Sequence, residues 1–292
     1  MSPGVYRFRD GSGRVLYLGR AVSLRRRVYS YWGDLRGRAH LADMVPQIAQ
    51  VEAVACDSAH EAAWLERNLL RTSVPPWNRS REGGQETEVW IRLRDSARSP
   101  GIGVVHDRLP GGRSRYFGPY LGGQKVRDAV SGLSRVLPLA YTADQPAGSE
   151  RELARLLGVG PGDRAWLARQ LAAVLGRDQA AVARVRGMLA SRRDAAVAQL
   201  SFELAAKLHA EIEALDWVTA EQKVTLPEAA DFDVRGWADG ILVHFEIRAG
   251  RLCIWGQRRC AEETFRSQCG DTPPQWTAFA ARNASLAAQL TR

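Results

Sequence analysis

The residues best suited to chemistry lie in the first eighty positions. Gly4-Val5-Tyr6 is followed, after ten residues, by Tyr17-Leu18-Gly19. Arg27 and Tyr31 come ten and fourteen residues after Tyr17, and Asn78, in Pro76-Trp77-Asn78, stands twelve residues beyond Glu66. Phenols, a guanidinium, a carboxylate and an amide suit the hydrolysis of a phosphodiester. That reaction needs a water made nucleophilic, a metal ion or other cation to take the developing charge, and in-line geometry. The surrounding charge points to the same substrate class. Residues 1–40 hold nine Arg (Arg7, Arg9, Arg14, Arg20, Arg25, Arg26, Arg27, Arg36 and Arg38) against Asp10 and Asp34, which is +7 of the net +9 of the 292-residue chain. A field of that sign attracts a polyanion such as nucleic acid, because neutralising phosphates releases condensed counterions. From charge alone, a solvated basic face is an equal alternative.

These side chains need elements to hold them. Residues 5–9 and 15–19 alternate in polarity around Asp10-Gly11-Ser12-Gly13, which predicts a β-hairpin with Tyr6 and Tyr17 on neighbouring strands. Ser23 can cap a short helix through residue 31, followed by a helix near 40–50 and a third strand at 51–56. Ser58 and Glu61 form a capping box that opens a helix through residue 71, with Ala62, Leu65, Leu69 and Leu70 at helical spacing and Glu66 among them. Pro75 and Pro76 end it. Three short strands at 89–93, 102–106 and 115–120 and a helix over 124–136 follow, and residues 144–161 mark the end of the first half, with 152–157 readable as helix. An apolar stripe from Val182 to Leu215 predicts two long helices folded together between 163 and 224. Strands at 232–237, 241–247 and 252–255 form a meander, closed by a helix over about 276–290.

The paired tripeptides and the residues after them resemble the GIY-YIG nuclease family, and within it UvrC-like and Cho-like proteins. PGVYRF, VLYLGRAVSLRRRVYSYW, EAAWLERNLLRTSVPPWN and RYFGPY, with a following helix that ends in RVLPL, carry the likeness over residues 3–139. The resemblance implies an α+β fold in which a small α/β nuclease domain holds a three-stranded sheet flanked by helices. It also implies a metal-dependent, structure-specific DNA endonuclease that makes the 3′-side incision of nucleotide excision repair on damaged double-stranded DNA. In that reading Glu66 is the single protein ligand of a Mg²⁺ or Mn²⁺ ion, which keeps water in its other positions. Tyr17 is the general base, Arg27 clamps the scissile phosphate, Tyr6 and Tyr31 orient phosphate or water, and Asn78 braces the site. Arg20, Arg25 and Arg26 bind the DNA backbone. A free phenol has a pKa near 10, so Tyr17 needs cations nearby, among them the metal, Arg20 and Arg27. Arg20 stands where the family usually has Lys, which keeps the charge and loses the point-like ammonium.

Leu200 to Ile212 resembles the UVR motif, the helical hairpin through which UvrC and UvrB associate, with Phe202, Ala205, Leu208 and Ile212 as the implied contact face and His209 in place of the usual Arg. The implied division is a nuclease domain at 1–82, a β-rich extension at 83–143, the UVR hairpin at 163–224 and a truncated C-terminal segment at 231–292. That last segment is too short for a second nuclease site. Pro138-Leu139-Ala140-Tyr141-Thr142 holds no Cys where some family members bind an iron–sulfur cluster, and the four Cys form no CxxC pair, so no cluster is expected. No apolar run suits a membrane span, and a cytoplasmic location is expected. Two other readings stay open: a non-catalytic adaptor that binds DNA and UvrB, and a GIY-YIG nuclease of mobile-element type.

Overall fold

The computed structural model describes residues 2–33, 39–79, 87–109, 114–268 and 272–291. The chain opens on β1 (Gly4–Arg9) and β2 (Val15–Ala21), continues through helix α1 (Leu24–Tyr29), and adds β3 (Gln50–Ala55) to give an antiparallel sheet in the order β2-β1-β3. The hairpin turn is held by Asp10, whose carboxylate accepts hydrogen bonds from the Ser12 and Arg14 N–H groups at 2.9 and 3.0 Å, with Gly13 at φ 84°. The helix expected near 40–50 is two single 3₁₀ turns, at 39–41 and 45–47. Pro46 lacks the N–H that would continue a helix there. Helix α2 (Ala59–Thr72) starts as its capping residues predict, with Ser58 Oγ accepting the Glu61 N–H at 3.0 Å.

Next come β4 (Glu88–Arg94), β5 (Gly101–Val105) and β6 (Ser114–Leu121), an antiparallel sheet in the order β5-β4-β6, then α3 (Gly123–Val136) and α4 (Gly148–Leu157). Between 163 and 224 there are three helices rather than two: α5 (Arg164–Leu175), α6 (Gln179–Ala198) and α7 (Phe202–Thr219). The break falls where Arg177 turns to φ 67° and Asp178 caps α6 by accepting the Ala181 N–H at 2.8 Å. Val89 and Ile91 of β4, Leu133 of α3, Leu171 of α5, Leu189 of α6 and Leu208 of α7 share one core. Glu211, buried on α7, accepts hydrogen bonds from Ser131 and from both Nε and Nη2 of Arg135, which ties α3 to α7.

The chain then forms β7 (Phe232–Ala238), β8 (Ile241–Arg248) and β9 (Arg251–Arg259), an antiparallel meander, followed by α8 (Glu262–Gln268), which sequence patterning did not suggest, and α9 (Pro274–Thr291). By contact the protein divides into two compact units, residues 1–85 with 221–292, and residues 86–220. The C-terminal meander is therefore part of the same unit as the first sheet. Helix α9 packs on β3 as well as on β7 and β8, and β9 covers α2. This explains why every residue from His60 to Leu70 is buried, polar ones included. Asn68 donates to the Val224 carbonyl at 3.1 Å, and Glu61 accepts the Lys223 N–H at 2.6 Å. Arg7 pairs with Glu52 and lies 3.9 Å over the Trp255 ring. Among the described residues no helix is long and apolar enough to cross a membrane.

Candidate active site

The register of β1 on β2 sets Tyr6 opposite Gly19 and Phe8 opposite Tyr17. A Cβ at Gly19 would stand 2.6 Å from Tyr6 Oη and 2.7 Å from Tyr17 Cε1, so both phenols close over a position that only glycine can fill. A Cβ at Gly4 would meet the Val54 carbonyl oxygen at 2.1 Å and Leu24 Cδ1 at 2.8 Å. The glycines of both tripeptides are thus steric requirements of the aromatic cluster and of the close approach of β3. Gly19→Ala is expected to destabilise the first unit by about 1–3 kcal/mol through overpacking. That is a fall of roughly 3–10 °C in melting temperature, and an unchanged melt would show that the phenols yield without strain.

Three phenols meet in the space so created. Tyr6 Oη lies 2.7 Å from Tyr31 Oη, and the ring centroids of Tyr6, Tyr17 and Tyr31 are 5.9 to 6.2 Å apart. Phe8 packs edge-on against Tyr31 at 4.8 Å and stacks on Tyr17 at 6.3 Å. Arg27 reaches in from α1, with Nε donating to Tyr6 Oη at 3.3 Å and its guanidinium 5.6 Å from the Tyr31 ring. Burial and then the neighbouring phenols hold the Tyr6 hydroxyl well above its ordinary pKa. Burial, Tyr31 and the Glu66 carboxylate do the same to Tyr17, while Arg27 pulls it down. The Tyr17 phenol is therefore raised in this structure, opposite to what a proton acceptor at neutral pH requires. Burial also opposes the charge of Arg27, but the hydrogen bond to Tyr6 and the nearby phenols outweigh it and keep the guanidinium's pKa above its usual value.

Glu66 projects from α2, buried at 7% exposure. Its Oε1 accepts the Arg20 N–H at 3.1 Å and its Oε2 lies 3.3 Å from Arg20 Nε. Among the described residues no three His, Cys, Asp or Glu converge as a metal cage. A lone carboxylate suits a hard cation that keeps most of its water, so the donor set fits Mg²⁺ or Mn²⁺. Asn78 works on the backbone: its Oδ1 accepts the Leu18 N–H at 2.9 Å and its Nδ2 donates to the Leu18 carbonyl at 2.7 Å. Together with the Trp77 N–H on the Leu16 carbonyl at 3.1 Å, this pairs the outer edge of β2 beside Tyr17.

Arg20, Arg26 and Arg27 line one open cleft of about 460 Å³ with Ser23 and Ser30. Arg25 does not join them. It packs 5.7 Å from the Tyr29 ring and lines a separate groove with Leu24, Val28 and Leu286. The two serines were missed in sequence, although hydroxyls flanking an Arg triplet are a usable signal. Of the expected partner face, Ala205, Leu208 and Ile212 are buried in the core of their own unit, which corrects the expectation that they contact a partner. Phe202 is 63% exposed, and the exposed apolar residues around it are Val197, Leu200 and Leu204.

Paired phenols on an antiparallel sheet, a guanidinium from α1 and a carboxylate from α2 thus lie together within residues 2–79. Residues 2–79 match the family model of the UvrC-like GIY-YIG domain. The chain is similar to UvrABC system protein C of Geobacter metallireducens, 34% identical over 141 residues, which is 48% of this chain and 23% of that protein. It is likewise similar to UvrABC system protein C of Mycobacterium sp. (strain KMS), 38% identical over 149 residues, 47% of this chain and 20% of that one. The same protein of Symbiobacterium thermophilum is 34% identical over 143 residues, 49% and 22% of the two chains. The chain thus spans less than a quarter of the length of these relatives.

Proposed function

We propose that this chain is a divalent-metal-dependent DNA endonuclease that hydrolyses one phosphodiester bond, making the 3′-side cut of nucleotide excision repair in damaged duplex DNA together with UvrB. The observation that carries this reading is the convergence of Tyr6, Tyr17, Tyr31, Arg27 and Glu66 around β2, sharing Arg20 and Arg27 with a basic cleft. Arg27 stays charged beside the phenols, and its forked N–H groups suit a phosphate. The linked hydroxyls of Tyr6 and Tyr31 can orient a phosphate oxygen or a water. Tyr17 is the candidate proton acceptor. Its raised pKa must come down for that role, and positive charge has the required sign, as Arg27 already shows. A Mg²⁺ or Mn²⁺ ion at Glu66 would supply such charge and polarise a phosphoryl oxygen. Asn78 holds the strand that carries Tyr17.

UvrB is assigned the tip of the α6–α7 hairpin. Leu200, 73% exposed, sits there at φ 57°, a left-handed conformation that a branched apolar residue rarely adopts, next to exposed Phe202. Lesion-bearing duplex, Mg²⁺ and the protein are to be incubated with and without UvrB. Wild type is expected to nick, Tyr17→Phe to cut at least about 100-fold more slowly, and Phe202→Asp to lose only the stimulation by UvrB. A wild type no faster than Tyr17→Phe refutes the nuclease and leaves the adaptor reading. Site-specific cutting of undamaged DNA would favour the mobile-element type.

A further inference from the structure

Trp32 follows the catalytic candidate Tyr31 and is 54% exposed, although an indole is among the largest apolar side chains and usually lies mostly buried. Its ring meets Phe8 edge-on at 6.0 Å, and Phe8 in turn packs on Tyr31 at 4.8 Å and on Tyr17 at 6.3 Å. The indole is therefore one ring removed from the two phenols, at the solvent end of the same aromatic cluster. Arg27, which belongs to that cluster through Tyr6 and Tyr31, also lines the basic cleft with Arg20 and Arg26. Guanidinium groups for the backbone and an exposed aromatic side chain, here two residues along the chain from Ser30 of that cleft, are the two parts of a site for single-stranded nucleic acid. In an intact duplex each base has neighbours about 3.4 Å above and below it, which leaves no face for an indole to cover. A base that has left the stack offers one.

We propose that Trp32 is a stacking platform for a nucleobase flanking the scissile phosphate, so that the site takes a strand with an unstacked base in preference to an intact duplex. This rests on the nuclease reading above. Phe8 fixes the height of the platform and the cleft fixes the backbone beside it. Selection for distorted DNA is then partly built into the nuclease domain itself.

The probe is a DNA duplex with a short unpaired bubble that carries 2-aminopurine beside the mapped cut. Binding is read by fluorescence in the Glu66→Gln background, and nicking is read separately in chains with Glu66 intact. The Trp32-containing protein is expected to quench the 2-aminopurine, Trp32→Phe to retain the quench and Trp32→Ala to lose it. In nicking, Trp32→Ala should raise KM for the bubble about ten-fold, the stacking of roughly one base, with kcat within about three-fold. Trp32→Phe should cut nearly as wild type, and the effect of Trp32→Ala should vanish on fully paired DNA. An unchanged KM, a quench independent of position 32, or an equal loss on paired DNA overturns the proposal, as does a loss confined to UvrB binding. A wild type that cuts nothing but quenches through Trp32 overturns the nuclease and leaves the stacking site standing.

Discussion

Glu66→Gln is expected to lower the nicking rate about a thousand-fold or more while moving the melting temperature by only a few degrees. The substitution keeps the shape of the side chain and the Oε1 that accepts the Arg20 N–H. It removes the charge that holds a cation, and a bound metal ion is worth several kcal/mol to a phosphoryl transition state, each 1.36 kcal/mol being ten-fold in rate. The sign of the effect is informative, because the carboxylate also acts on Tyr17. Glu66 raises the Tyr17 pKa, so its neutralisation alone lets the phenol lose its proton more easily. Were that the whole influence of Glu66, Glu66→Gln would cut faster. A single-turnover rate within ten-fold of wild type, in either direction, would remove Glu66 as the metal ligand.

The parts of this site that could be read in the sequence are those set by short-range sterics and by helix signals. Gly4 and Gly19 mark positions where a Cβ collides, and Ser58 and Glu61 mark the start of α2. The break between α5 and α6 was legible in principle, since Gly176 and Asp178 are ordinary stop and start signals just ahead of the apolar stripe that begins at Val182. Periodicity also could not say which body a stripe faces. Ala205, Leu208 and Ile212 have the spacing of a docking face and are spent on the core of their own unit, which leaves Leu200 and Phe202 outside. The state of Tyr17 was equally hidden, because burial and the phenol of Tyr31 dominate it and neither is adjacent in sequence. Least legible was the place of residues 221–292. Their contacts with α2 and the first sheet join positions about 160 to 250 apart, for which no local pattern exists.

That long-range union yields the second large effect. Asn283→Leu is expected to destabilise the first unit by about 2–6 kcal/mol, lowering its melting temperature by roughly 10 °C. Asn283, 1% exposed on α9, accepts the Ala55 N–H through Oδ1 at 2.7 Å and donates through Nδ2 to the Ala55 carbonyl at 3.2 Å, as a neighbouring strand would. Leucine fills the same space, strips the buried Ala55 N–H of this acceptor and leaves the Ala55 carbonyl with the Arg282 guanidinium, 3.3 Å away. The same α9 covers β3, while β9 covers α2, a helix buried on all sides between His60 and Leu70. Loss of the α9 anchor should therefore reach Glu66 and the site, and nicking should become heat-labile in step with the melt. In calorimetry the transition of residues 86–220 should stay in place, since Asn283 belongs to the other unit. A melt of the first unit lowered by less than about 2 °C would mean that the meander and α9 are an appendage, and that residues 1–85 carry their own stability.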